Sequence, residues 1–257
     1  MRKNIHFRND KDQRLAGFLY IPNDYNYRKG TALISLHGFP SHSHKRKSYT
    51  AGRFFEDQGI LFMMFDFNGS GKSEGKFEDK LLSTEMTDTR KAIDFLERNY
   101  GFKRLLLMGH STGATIASLY AHLDSRIDKL IISGAISDLK HGVAYDFSDK
   151  QVHDFWTKGH IVYDTPGKFY YKKKLKKAYY DEFFKLDIPK AVKSYKKPLL
   201  IIHGEKDEIV PLFNTHELYK IANRPKKLVI IKGADHEYKG YKEEYFSEIM
   251  KFVKSTR

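Results

Sequence analysis

Two hydrophobic rhythms alternate along the chain. Residues 5–8 and 15–21 are strand-like and are separated by a polar turn at 9–14, which predicts a hairpin. Thr31–Leu36 is a short apolar run ending at His37-Gly38, and Ile60–Phe65 (ILFMMF) is apolar throughout. Unbroken apolar runs of this length belong to strands buried on both faces. The same pattern returns at 104–108, 129–132, 199–202 and 228–231. Between the runs the period lengthens to that of a helix. It does so at 47–58 (stopped by Gly59), 82–100 (Met86, Ile93 and Leu96 on one face, stopped by Gly101), 111–122, 213–222 and 241–253. Strands alternating with helices predict an α/β protein: a mostly parallel, eight-stranded sheet covered by helices on both faces.

Residues 139–195 break the alternation. No strand is expected there, and aromatics and lysines crowd the stretch. A segment of that length between two sheet strands must carry helices of its own. The expected division is a core of residues 1–138 and 196–257, with residues 139–195 inserted as a helical lid.

Composition narrows the function. The 257 residues include 46 Lys and Arg against 32 Asp and Glu, a net charge of +14, and no Cys. Without Cys there are no disulfides, thiolate metal sites or cysteine nucleophiles. A cytoplasmic location is expected, since the first residues, MRKNIHFRNDKDQR, have no apolar core resembling a secretion signal. The charge-free run 105–123 contains Gly109, His110, Ser111, Thr112, Gly113 and Thr115, so it does not read as a membrane span, and no stable membrane insertion is expected.

Chemistry concentrates after the predicted strands. Gly109-His110-Ser111-Thr112-Gly113 follows one directly and opens a helix of small residues, Ala114, Ala117 and Ser118. Glycines on either side permit the sharp turn that lifts a serine hydroxyl clear of a sheet. A second match, Gly71-Lys72-Ser73-Glu74-Gly75, lies eight residues past its strand and opens no helix. It also fails as a phosphate loop, because Asp66 stands where that motif needs Gly. Its expected role is a turn in which Asp66, Asn68 and Ser73 bond local backbone. A serine needs a base, and the base an orienting acid. Asp207 follows strand 199–202 and His236 follows strand 228–231, so Ser111, Asp207 and His236 converge where parallel strands end. Asp138, Glu205 and Asp235 are competing acids. The amides of Phe39 and Thr112 are the expected oxyanion donors, since Pro40 has none.

These segments, HGFP (37–40), FDFNGSGKSEGKFED (65–79), GHSTG (109–113), IIHGEKDEIVP (201–211) and KGADHEY (232–238), resemble the α/β-hydrolases. More narrowly, they are similar to the cinnamoyl/feruloyl esterase-like members of the serine-aminopeptidase-like (monoglyceride-lipase-like) branch. The resemblance implies an α/β-hydrolase fold with a lid and a cofactor-free, metal-free serine esterase acting on small to medium carboxylic esters, aryl or cinnamoyl types among them. In such esterases lid Asp and Tyr side chains hold the phenolic end of the substrate, a role that Asp164 and Tyr170 match only loosely here. Trp156 is a further candidate substrate contact, as the lid aromatics suggest an apolar pocket.

Other readings remain open. A monoacylglycerol lipase, thioesterase or small peptidase would use the same three residues, and a non-catalytic basic protein could hold an acidic ligand on the same scaffold. The run 168–177 (KFYYKKKLKK) holds six lysines, read as the solvated face of a helix whose Phe169, Tyr170 and Leu175 point inward. No nucleic acid partner is expected, and a homodimer is allowed. His37, His42 and His44 lack a carboxylate at ligand spacing in the sequence, so no metal is expected there, and His37 is assigned to shaping the oxyanion loop. His110 and His203 are expected to pack near strand ends.

Overall fold

The computed structural model describes residues 2–44 and 46–255, and the side chains of 46–48 lie outside the description. Strand β1 (Arg2–Arg8) turns back on β2 (Arg14–Tyr20) in an antiparallel hairpin, Arg2 facing Tyr20 and Arg8 facing Arg14. Asn9 closes the turn, its Oδ1 accepting the amides of Lys11 and Gln13 at 3.0 Å. Then follow β3 (Thr31–Leu36), α1 (Arg46–Asp57), β4 (Ile60–Phe65), α2 (Leu82–Asn99), β5 (Arg104–His110), α3 (Thr112–Tyr120) and β6 (Ile127–Ser133). After the long excursion come β9 (Leu199–Gly204), α8 (Phe213–Ile221), β10 (Lys226–Ile231) and α9 (Lys242–Lys254). The strands form one eight-stranded sheet in the order β1-β2-β4-β3-β5-β6-β9-β10, parallel from β4 to β10.

Successive side chains on a strand point to opposite faces, so the apolar runs feed two cores. On one face Phe62, Met64, Leu106, Met108 and Ile131 pack against Phe55 of α1 and Phe246 and Ile249 of α9. On the other, Leu61, Met63, Leu105 and Leu107 pack with Ile93 and Leu96 of α2, Ile116 of α3 and Leu218 of α8. The chain has the mostly parallel, helix-covered sheet that its periodicities predict. Among the described residues, no helix is long and apolar enough to cross a membrane.

The excursion between β6 and β9 differs from the expectation in two ways. It holds α4 (Leu139–Asp146), α5 (Asp149–Lys158), α6 (Lys177–Glu182) and α7 (Ile188–Ser194), but also a small antiparallel pair, β7 (His160–Val162) and β8 (Lys174–Lys176). The lysine run is therefore not a helix face. Ile161 and Leu175 face each other and are buried, while Lys174 and Lys176 alternate outward with the two-residue period of a strand. Gly159, left-handed at φ 72°, ends α5 and turns the chain into the hairpin. In addition, α7 packs on α3 and α8, in the helical layer of the sheet itself. What leaves the sheet layers is α4 to α6 with the β7–β8 hairpin, a shorter piece than 139–195.

Candidate active site

The backbone at residue 111 is strained. Ser111 has φ 57° and ψ −128°, a conformation costing a non-glycine residue on the order of 1–3 kcal/mol. Its amide bonds Ser133 O at 2.9 Å, and its own carbonyl accepts from Ala114 at 2.8 Å. The turn needs its glycines: a Cβ on Gly109 would lie 2.1 Å from Gly113 O, and one on Gly113 would lie 2.3 Å from Leu36 O. Ser73, by contrast, is spent on local structure. Its hydroxyl donates to Asp66 O at 2.5 Å and accepts from the Ala16 amide at 2.9 Å.

His236 and Asp207 meet directly. Nδ1 of His236 lies 2.7 Å from Oδ2 of Asp207, whose side chain is almost wholly buried. Oδ1 of Asp207 accepts the amides of Ile209 at 2.9 Å and Val210 at 2.8 Å. Burial pushes this carboxyl up, but the His236 hydrogen bond and charge and the two amides outweigh it and hold the acid below its ordinary range. His203 braces the same loop. Its Nε2 lies 2.9 Å from Val210 O and 3.3 Å from Asp207 Oδ2, and its Nδ1 lies 2.6 Å from the Thr215 hydroxyl. The rival acids are engaged elsewhere: Glu205 accepts from the Gly233 amide, Asp235 from the Lys239 amide, and Asp138 caps α4 through the Lys140 amide.

The loop after β3 closes in from the other side. A Cβ on Gly38 would sit 3.0 Å from Ser111 Cβ. The Phe39 ring is stacked between Phe77 (centroids 5.5 Å apart) and Tyr179 (4.9 Å), which fixes this loop against the insertion. His37 is buried and locked, its Nδ1 2.8 Å from Gly38 O and its Nε2 accepting from the Phe67 amide at 3.3 Å. Burial drives its pKa down to about 4, against the opposing pull of Asp66, so the ring is neutral. Thr112 is the first residue of α3, where amides have no partner within the helix. His110 lies beside His236, ring centroids 4.7 Å apart, with its Nδ1 3.0 Å from Ser133 Oγ.

Ser111, His236, Gly38 and Phe39 line a cavity of about 520 Å³. From the insertion it receives Asp146, Lys168 and Tyr170. The other two expected substrate contacts lie elsewhere. Trp156 is 66% exposed on α5 beneath the Lys177 ammonium, 4.0 Å above its ring, and Asp164 is exposed in the loop after β7. The carboxylate that the insertion brings to the cavity, Asp146, belongs to no motif in the sequence. It ends the short helix α4 among aromatics, and only the fold turns it toward Ser111's cavity. Its side chain opens onto that cavity while protein surrounds it, and the resulting desolvation raises its pKa to about 7, partly offset by the charge of His236.

One expectation about the histidines is corrected. A carboxylate does approach His42 and His44: Asp66, from the end of β4, brings a ligand atom within 4.8 Å of one on each. The contact spans 22 positions, so spacing in the sequence could not reveal it. Asp66 is already engaged, accepting from the Ser43 amide at 2.5 Å, from the Lys72 amide at 2.9 Å and from His44 Nδ1 at 3.1 Å. As built, the trio ties the β3 and β4 loops together.

A mostly parallel eight-stranded sheet with a strained serine after β5 and an Asp–His pair after β9 and β10 marks the chain as an α/β-hydrolase. Residues 28–182, more than half the chain, match the family model described as serine aminopeptidase, S33, and the chain belongs to that family. It is 26% identical to the AB hydrolase superfamily protein YisY of Bacillus subtilis, an alignment covering 88% of this chain and 92% of that one. It is 23% identical to the bifunctional esterase/perhydrolase DCH of Acinetobacter calcoaceticus, over 73% of this chain and 78% of the relative. Among solved structures, Est1E of Butyrivibrio proteoclasticus with ferulic acid bound superposes with a TM-score of 0.83 at 25% identity, covering 97% of both chains. The chain is a hydrolase whose relatives include esterases.

Proposed function

We propose that this hydrolase cleaves small to medium carboxylic esters through an acyl-enzyme formed on Ser111. The observation that carries the reading is the 2.7 Å contact of His236 with buried Asp207, on the same cavity as the strained Ser111. In this mechanism Ser111 Oγ attacks the ester carbonyl carbon while His236 Nε2 takes its proton. Asp207 holds the Nδ1 proton, fixing the tautomer and stabilising the imidazolium. The amides of Phe39 and Thr112 receive the oxyanion, and each such donor contributes about 3–4 kcal/mol to the transition state. Collapse breaks the C–O bond, and His236 returns the proton to the departing alcohol. Water, deprotonated by His236, then attacks the acyl carbonyl, and the acid leaves with Ser111 regenerated.

The excursion around α4–α6 acts as the lid, and Asp146 with Tyr170 takes the polar end of the substrate, in the place first given to Asp164. The ferulic acid bound by Est1E supports hydroxycinnamoyl esters as the first substrates to try. The substrate partner is a small-molecule ester, with no cofactor or metal in the cycle, and the working location is the cytoplasm.

The test is labelling with a fluorophosphonate, followed by peptide mapping. Wild type is expected to carry the label on Ser111 alone, and Ser111→Ala none. A folded wild type that stays unlabelled would refute the proposal and favour a binding protein on this scaffold.

A further inference from the structure

Where β3 and β4 end, three side chains that the ester mechanism leaves unused converge. His42 and His44 lie on the loop after β3 and Asp66 directly after β4, and one ligand atom of each falls within 4.8 Å of the other two. His44 Nδ1 is 3.1 Å from Asp66 Oδ2. Two ligands on a tetrahedral ion with bonds of about 2.0–2.1 Å stand roughly 3.3 Å apart, so this pair already has the required spacing. The carboxylate is the fixed member. Its side chain is wholly buried, and the amides of Ser43 at 2.5 Å and Lys72 at 2.9 Å orient it. The turn after β4 closes on it so tightly that a Cβ on Gly71 would lie 2.1 Å from Oδ2. Hydrogen bonds that aim a carboxylate in this way are the usual support of a metal ligand. The imidazoles are the adjustable members, both partly exposed on a loop.

We propose that His42, His44 and Asp66 bind one divalent transition ion of the zinc class, outside the hydrolytic cycle, and that the ion clamps the loops after β3 and β4 together. The donors select the ion. Two imidazole nitrogens with one carboxylate oxygen suit Zn²⁺, whereas Mg²⁺ and Ca²⁺ take shells of oxygen. The ion replaces the hydrogen bond between His44 and Asp66, and both amides stay on the carboxylate, so Asp66 need not move. His42 lines the cavity, which gives the ion a path from solvent and leaves water to fill the fourth position. Occupancy also reaches the neighbouring parts of the site. The loop that carries His42 carries Gly38 and Phe39, and the His42 ring meets Phe169 of the insertion edge-on at 5.1 Å. The inference does not depend on the ester mechanism, and its test reads binding rather than turnover.

The experiment strips the full chain of metal with a chelator, titrates it with zinc chloride by calorimetry and follows Tm in the same solutions. Wild type is expected to take up one Zn²⁺ per chain and, at a hundredfold excess of zinc over Kd, to gain roughly 5–10 °C in Tm. Magnesium and calcium chloride at the same concentration are expected to shift it by less than about 1 °C. His44→Gln is expected to weaken zinc binding by at least about tenfold and to remove the gain in Tm. His42→Gln serves the same purpose should His44→Gln fail to fold by its zinc-free thermal transition. His153, exposed on α5, supplies the control for adventitious binding by surface imidazoles, and His153→Gln is expected to bind zinc as wild type does. A wild type that takes up no zinc overturns the site. So does uptake that both His44→Gln and His42→Gln leave unchanged, or an equal response to magnesium.

Discussion

Replacing Gly134 with alanine should disable the site through its base rather than its nucleophile. Gly134 follows β6 with φ 55°, and a Cβ there would lie 2.9 Å from His236 Cε1 and 3.1 Å from Nδ1, the atom that meets Asp207. Two costs follow and can be measured apart. Holding alanine in the left-handed region costs about 1–2 kcal/mol, which in a chain of this size lowers Tm by roughly 2–4 °C per kcal/mol. The contact must also be relieved, and the imidazole is the freer partner. Displacing a catalytic group by about 1 Å costs on the order of 10²-fold in rate. Gly159→Ala is the control, since Gly159 has φ 72° and nothing within 4 Å of its added Cβ. Both variants should lose a few degrees of Tm, but only Gly134→Ala should lose about 10²-fold in fluorophosphonate labelling rate and in kcat/KM on a short ester. If Gly134→Ala labels at the wild-type rate while its Tm falls like the control's, the imidazole is not held by that contact and the reasoning fails.

Three other outcomes are expected. Asp207→Asn should keep the fold and lose about 10⁴-fold in kcat, because the amide favours the wrong imidazole tautomer; a loss below tenfold on a short ester would shift the orienting role elsewhere. Asp146, raised to about 7, is neutral below that pH and charged above it, so a phenolic substrate donating to it should show KM falling as pH rises through 7, and Asp146→Asn should abolish the trend. Because the folded pKa lies above the unfolded one, this carboxyl weakens the fold progressively as pH rises toward 7. The Tm of Asp146→Asn should therefore exceed wild type by more at pH 8 than at pH 5. Lys80 is buried against Glu85 at 2.6 Å and donates to Asn68 O and Ser70 Oγ. Lys80→Met should cost about 3–5 kcal/mol in denaturant unfolding by stranding Glu85, and Lys80→Met/Glu85→Leu should recover part of it.

Features carried by long or local signals were legible in the sequence. The unbroken apolar strands gave the sheet, and Ser111, Asp207 and His236 each follow a different strand, so the order of elements alone brings them to one edge. The pairing of His236 with Asp207 over Glu205, Asp235 and Asp138 depends on loop geometry, and there the sequence offered only a ranking. The β7–β8 hairpin is not legible in the sequence because three residues are too few to display a period, and the surrounding lysines mimic a solvated helix. Asp146 and the Asp66 cluster were hidden for another reason. Their significance comes from contacts across tens of positions, which no spacing rule encodes. The same is true of Gly134, whose closeness to His236 belongs to the third dimension only.

One clamp has a consequence for the order in which the site comes into being. Lys129 sits in β6, and its ammonium donates to Phe252 O and Ser255 O, both at 2.7 Å, across 123 and 126 positions of chain. It fastens the end of α9 to a strand translated long before. The nucleophile precedes Lys129 on the ribosome and the base follows it, so a nascent chain carries Ser111 well before it carries His236. Hydrolytic competence in this mechanism therefore waits until residues well beyond Lys129 have been made and β10 has joined the sheet edge. A ribosome stalled before residue 236 would hold a serine with nothing to activate it.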